Sequence, residues 1–339
     1  MSTSAAQQPS PQLFFQTVNA HQRTEALKAG IELEVFTAIG EGNTTAAQIA
    51  KRCQASEKGI RVLCDFLTTM EMLTKQGDHY ALTLDSATFL DKRSPAYVGG
   101  AIEFLCSPEL TNAAKNMTEA VRKGGTALEN EGTVDAENPI WVKFARGMAP
   151  VMAMPAQMIA KLVDPNADRK LKILDIAAGH GLFGIAFATQ NRQAEITAVD
   201  WKPVLAVAKE NAQKAGVSDR YRTMEGSAFE VDFATGYDFV LLTNFLHHWD
   251  PPTNETLLRK VRAALADGGR AVTLDFVPNE DRVTPPDAAR FSMQMLIGTP
   301  SGDAYTFPEL ERMFANAGFS RSTLHALPPT FQHVVISEK

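Results

Sequence analysis

Cysteine is scarce in this chain: there are three in 339 residues, Cys53, Cys64 and Cys106, and none stands in a CxxC pair. That excludes a disulfide scaffold and predicts buried, reduced thiols. An excess of positive charge is also missing. Lysine and arginine total 33 against 39 acidic residues, a net charge of −6, which argues against a broad polyanion-binding surface. No apolar run approaches the ~18 residues that a membrane span requires. The opening MSTSAAQQPSPQ has no basic stretch leading into an apolar one, so no signal peptide is expected, and the cytoplasm is the expected location. What remains, 45% hydrophobic and 21% charged, is the composition of an ordinary globular protein. The length suggests about two domains.

The first eleven residues read as a disordered tail. From PQLFFQTVNAHQRTEALKAG onward, apolar residues recur at helical spacing, and TTAAQIAKRCQASEKGIRVLCDFLTTMEML predicts two helices around a short turn. LTKQGDHYALT follows as two short strands about a glycine turn. Helix, turn, helix and hairpin form a winged-helix pattern over residues 12–95. Linker helices fill 96–165, including IWVKFARGMAPVMAMPAQMIAKLV. From 166 to 339 the rhythm changes: LKILDIA, AEITAVD, YDFVLLT and GRAVTLDFV alternate with helical stretches. This predicts an α/β fold, a parallel sheet with helices on both faces. RSTLHAL and FQHVVIS, separated only by PPT, read as a terminal antiparallel pair.

ILDIAAGHGLFG places Gly179, Gly181 and Gly184 directly after the first strand of that sheet, and Asp200 ends the second. The spacing is G-x-G-x-x-G, so a dinucleotide site is available and with it a nicotinamide oxidoreductase. Asp175, at the mouth of the loop, would repel a pyrophosphate and tolerate a cation. S-adenosylmethionine, with a sulfonium, an ammonium and no phosphate, fits better, and Asp200 suits the ribose hydroxyls of either ligand. In such sheets ligands bind at the carboxyl ends of the strands, where strand order reverses.

Two of the seven histidines, His247 and His248, stand side by side in TNFLHHWDPP, at the end of a strand that opens on the same cleft. A neutral imidazole is a suitable base for a phenol. Metal binding is not expected, because adjacent side chains diverge and no further ligands lie at the required spacing. His180 is a loop residue near the cofactor, and His21, His79, His325 and His333 read as ordinary residues. Phe144, Met148 and Met152 fall at i, i+4 and i+8 on one helix face, and Phe291 and Met295 repeat that spacing. Soft thioethers and rings on one face suit either a flat aromatic ligand or plain packing.

With these motifs the sequence resembles the class I S-adenosylmethionine-dependent methyltransferases. More narrowly it resembles the small-molecule O-methyltransferases of the plant caffeic acid and isoflavone type and their bacterial relatives. The resemblance implies a Rossmann-like seven-stranded methyltransferase sheet behind a winged-helix dimerisation domain. The family's Asp-x-Gly-x-Gly-x-Gly motif falls on Asp175, Ala177, Gly179 and Gly181, with alanine for the first glycine, and its ribose-binding acid falls on Asp200. Its Gly-Asp-x-Phe motif is Gly226, Ser227, Ala228 and Phe229, with serine for the acid. Trp201, Asn244 and Trp249 complete the implied cofactor set.

The family's His-Asp-Trp is His247, His248 and Trp249 here, and its second acid falls on Asp275. A third acid is lost at Ala304. The implied catalytic group is His247 as base with Asp275 to orient it, and the FARGM segment implies that Phe144 and Met148 hold the substrate ring. The expected partners are an aromatic or polyketide-like small molecule and a second copy of the chain. The dimer is expected through PQLFFQTVNA and IELEVFTAIG, whose apolar surface exceeds what a small winged domain buries. A winged helix also raises the reading of a DNA-binding regulator with a small-molecule sensor domain. Against that, SEKGIRVLCDFLTTMEML offsets Lys58 and Arg61 with Glu57, Asp65 and Glu71, where a groove-entering helix needs a basic face.

Overall fold

A computed structural model describes residues 9–166 and 168–339, so most of the expected tail lies outside the described residues. The chain separates into two compact units, one ending at Ile102 and the other starting at Glu103. The first unit contains α1 (Gln12–Val18), α2 (Ala20–Glu32), α3 (Val35–Gly40), α4 (Ala46–Cys53) and α5 (Glu57–Thr69). The antiparallel hairpin of β1 (Leu73–Gln76) and β2 (His79–Leu82) follows, then α6 (Leu84–Phe89). Its core joins Val35, Phe36, Ile39, Ile49, Ile60, Leu67 and Tyr80. The helices start where their sequences supply caps: Thr45 and Gln48 form a capping box before α4, and the Ser56 hydroxyl accepts the Gly59 N–H before α5.

This core changes one expectation. The IELEVFTAIG segment spends its apolar residues other than Leu33 inside its own unit, with Ile31, Val35, Phe36, Ala38 and Ile39 all buried. The α1 side chains Leu13, Phe14, Phe15 and Val18 do stay exposed.

The second unit opens after α7 (Ile102–Leu105), with α8 (Pro108–Lys115), α9 (Met117–Lys123) and the long α10 (Ile140–Val163). Residues 103–165, expected as linker helices contributing to the substrate pocket, fall in the same compact unit as the sheet, and the apolar face of α10 packs on the sheet helices that follow it. The sheet is built from β3 (Leu171–Ile176), β4 (Ala194–Asp200), β5 (Tyr221–Glu225), β6 (Tyr237–Thr243), β7 (Leu265–Asp275), β8 (Arg321–Ala326) and β9 (His333–Glu338). Between them run α11 (Leu182–Gln190), α12 (Lys202–Lys214), α13 (Pro251–Ala264), α14 (Pro286–Gly298) and α15 (Phe307–Asn316).

Strand order is β5-β4-β3-β6-β7-β9-β8. The first five strands are parallel, and β9 pairs antiparallel with both β7 and β8. β3, β4 and β6 are covered on both faces and are buried along most of their length, as strands flanked by helices on both sides must be. Strand order reverses between β3 and β6, which opens a crevice at their carboxyl ends.

Candidate active site

A cavity of about 730 Å³ occupies this crevice. One end is formed by the loop after β3. Ala177 (φ +53°) and Gly179 (φ +57°) take left-handed backbone conformations there, and both line the cavity. A Cβ on Gly179 would touch the Phe144 ring at 3.4 Å, so the loop runs close under that side chain. The Gly179 N–H donates to Asp200 Oδ2 at 2.8 Å, and the Trp201 N–H donates to Asp200 Oδ1 at 2.7 Å. Burial pushes the Asp200 carboxyl up to about 6 against the pull of these two N–H groups. The same end is walled by Trp201, Gly226, Ser227, Ala228, Phe229, Asn244 and Trp249. The Ser227 hydroxyl, where the family pattern has an acid, accepts the Phe229 N–H at 3.2 Å and keeps its own proton to donate.

Two residues expected to touch the cofactor do not line the cavity. Asp175 is fully buried beneath the loop and accepts the Gly184 N–H at 3.0 Å, in the first turn of α11. It is part of the loop's foundation, and burial raises its carboxyl to about 7. The argument that Asp175 repels a pyrophosphate at the loop mouth is thereby corrected, since its side chain points down into the unit. Gly181 (φ +76°) is also structural: a Cβ there would lie 2.6 Å from Tyr221 Oη and 2.9 Å from Ala208 Cβ. Only glycine lets the loop come so close to β5 and α12. His180 is buried among Phe144 and Phe183 and is likewise off the cavity lining.

The histidine pair sits on a 3-10 turn, Leu246–His248, that follows β6. The local sequence dictates the turn. Asn244 takes the left-handed conformation (φ +54°) that ends the strand, Leu246 is buried, and the Asp250 carboxylate caps α13 by accepting the Thr253 N–H at 3.0 Å. Asn254 ties the turn down from α13, its amide donating to the carbonyls of Leu246 at 2.8 Å and Trp249 at 3.0 Å.

His247 Nδ1 lies 2.7 Å from Asp275 Oδ1, and both side chains are almost fully buried. That oxygen also accepts the Phe276 N–H at 2.8 Å, so it acts as a carboxylate acceptor and His247 Nδ1–H donates to it. The imidazole lone pair is thus placed on Nε2, and His247 lines the cavity while Asp275 stands behind it. His248 lines the cavity as well, and no protein group bonds its ring nitrogens among the described residues.

The other end of the cavity is apolar. Phe144, Met148 and Met152 of α10 face Phe291 and Met295 of α14, so the two helical spacings seen in the sequence meet across one space. Phe291 stacks on Phe276 at 4.0 Å and presents itself to the His247 ring at 4.7 Å. Sequence reading missed Trp141 and Phe104, which pack edge-on against Phe144 in this wall, and Asp287 and Arg290, which form a 2.7 Å ion pair on the lining. Trp141 sits one turn before Phe144 and was within reach of the same helical-face argument; the ion pair carried no signal. Ala304 is buried away from the cavity.

Residues 115–320 match the profile of an O-methyltransferase domain, and residues 15–92 match an O-methyltransferase dimerisation domain. The chain is 29% identical over 307 residues to 3-hydroxy-5-methyl-1-naphthoate 3-O-methyltransferase of Streptomyces sahachiroi, covering 88% of this chain and 86% of that one. Among solved structures, a Nostoc punctiforme protein designated an O-methyltransferase superposes with a TM-score of 0.95 at 57% identity, covering 98% of this chain and all of that one. Human N-acetylserotonin methyltransferase, solved with S-adenosylmethionine, shares the fold at a TM-score of 0.85 and 21% identity, covering 100% and 99% of the two chains.

Proposed function

Because this chain belongs to the O-methyltransferase family and carries that family's dimerisation domain, we propose that it methylates a hydroxyl of a small aromatic metabolite with His247 as general base. The observation that carries this is the Asp275-oriented His247 imidazole, whose free nitrogen shares one cavity with Asp200 and the Gly179 loop. S-adenosylmethionine, when bound, supplies the methyl group from a sulfonium. The residues present fit it: Asp200 lines the cavity and offers carboxylate oxygens for two ribose hydroxyls. The family match sets aside the oxidoreductase and regulator readings.

The protein's own contribution is positioning and proton transfer. Phe144, Met148, Met152, Phe291 and Met295 hold a flat ring, which fixes the acceptor hydroxyl near His247. A phenol is largely protonated at neutral pH, so His247 Nε2 accepts its proton while Asp275 stabilises the imidazolium. No cluster of three or more metal-ligating side chains occurs among the described residues, and no helix among them is long and apolar enough to cross a membrane. We further propose that the enzyme works in the cytoplasm as a homodimer.

The test is a steady-state comparison across an acceptor panel. His247→Ala should lower kcat by roughly 10²–10⁴-fold, while S-adenosylhomocysteine affinity stays near that of the wild type. The deficit should shrink toward high pH, where the phenol ionises unaided. Full activity of His247→Ala at neutral pH would sink the assignment.

A further inference from the structure

His248 is the buried polar group that the proposed chemistry leaves unused. It lines the cavity beside His247, with ring centroids 4.3 Å apart, and is only 8% exposed. Trp141 and Phe245 close around it, at 5.3 and 6.3 Å. Its Nδ1 is sealed from solvent without a hydrogen-bond partner, and Nε2 is the nitrogen left facing the cleft. Burial first, and His247 second, hold the ring well below the ordinary histidine range, so it is neutral.

A neutral imidazole carries one N–H. Placing that proton on Nδ1 would create a buried orphan donor, whereas placing it on Nε2 leaves only a buried lone pair, the cheaper of the two defects. His248 therefore presents an N–H to the cleft. His247 presents the opposite, a lone pair, because its own N–H is given to Asp275. Side by side, the two rings offer one acceptor and one donor.

We infer that His248 is a specificity-determining residue that donates from Nε2 to a carbonyl oxygen next to the hydroxyl held by His247, so that the acceptor class is an aromatic hydroxyl flanked by a carbonyl. This rests on the methyl-transfer reading above and narrows its substrate. In such a molecule the hydroxyl is normally hydrogen-bonded to its own carbonyl, which keeps the proton from an external base. A donor aimed at the carbonyl competes for that lone pair and releases the O–H toward His247. An aspartate at position 248 would only accept, and would instead favour a second hydroxyl.

The experiment measures binding to the wild-type enzyme saturated with S-adenosylhomocysteine, using ortho-hydroxyacetophenone, para-hydroxyacetophenone and catechol as probes. The ortho isomer should bind about tenfold or more tightly than the para isomer, the worth of one hydrogen bond to a buried partner. His248→Phe should erase that ratio, His248→Gln, which keeps an N–H, should retain part of it, and His248→Asp should shift preference toward catechol. Equal affinity for the two isomers in the wild type, or an unchanged ratio in His248→Phe, overturns the inference. If His248→Phe fails to fold, the wild-type ratio and His248→Gln decide, because a merely structural histidine would leave the isomer ratio untouched. Failure of the wild type to bind S-adenosylhomocysteine would overturn the methyl-transfer reading, and this inference with it.

Discussion

Two aspartates that brace the glycine loop, Asp175 on β3 and Asp200 at the end of β4, do different work, and their variants should differ accordingly. Asp200 is on the cavity lining. Asp200→Ala should weaken S-adenosylhomocysteine binding by one to a few kcal/mol, since charge-assisted hydrogen bonds to the ribose are lost; calorimetry checks this. Asp175 contributes to stability instead. Unfolded, its carboxyl ionises near 3.8, and folded it holds its proton to about 7 because it is buried. Between those values the native state binds more protons, so this residue makes stability fall as pH rises from about 4 to 7, by roughly 4 kcal/mol at most. Asp175→Asn keeps an oxygen for the Gly184 N–H and has no charge to bury. Its melting temperature should match the wild type near pH 4 and exceed it near pH 8. Parallel melting curves at both pH values would show that the raised carboxyl does not matter to folding.

At the scale of elements, the turn after β6 is held from α13. Asn254 is completely buried and its amide bonds both ends of the His247 turn. Asn254→Ala would remove the amide donor from both carbonyls, leaving Leu246 O only the Trp249 N–H at 3.3 Å and Trp249 O only the Tyr305 hydroxyl, and should destabilise the protein by about 1–3 kcal/mol. It should also lower kcat more than cofactor affinity, because the turn carries the proposed base; equal losses in both would argue against a local role. The strands themselves were unequally legible. β3, β4, β6 and β7 announce themselves as runs of buried aliphatic residues, and the terminal pair reads from its alternation. The edge strand β5, YRTME, was not read from its residues. It is covered on one side by β4 alone, alternates poorly, and carries two charges in five residues.

At the scale of the whole molecule, the exposed face of α1 has no partner among the described residues of its own unit. Leu13, Phe14, Phe15 and Val18 are 74, 64, 57 and 55% exposed. Four large apolar side chains on one short helix mark an association surface. Replacing Phe14 and Phe15 with serine should leave the melting curve nearly unchanged at low concentration and give a monomer by light scattering. A wild-type monomer at micromolar concentration would contradict the dimer.

The sequence by itself determined the order of elements, the glycine loop, Asp200 and the His247 turn. Each of these is written in local spacing: a strand's burial pattern, a glycine before a helix, an aspartate and a proline that start α13. The sequence also paired Phe144 with Met148, and Phe291 with Met295, each along its own helix. Only the tertiary structure decided that α10 and α14 face each other across one cavity, because no periodicity within a segment specifies what lies opposite it. Packing also decided the fate of Asp175. A carboxylate at the end of a strand can point into the cleft or beneath the loop, and here it takes the second, where the Gly184 N–H donates to it. For the same reason His248, adjacent to the proposed base in sequence, was undetermined until the rings around it showed which nitrogen is sealed from solvent.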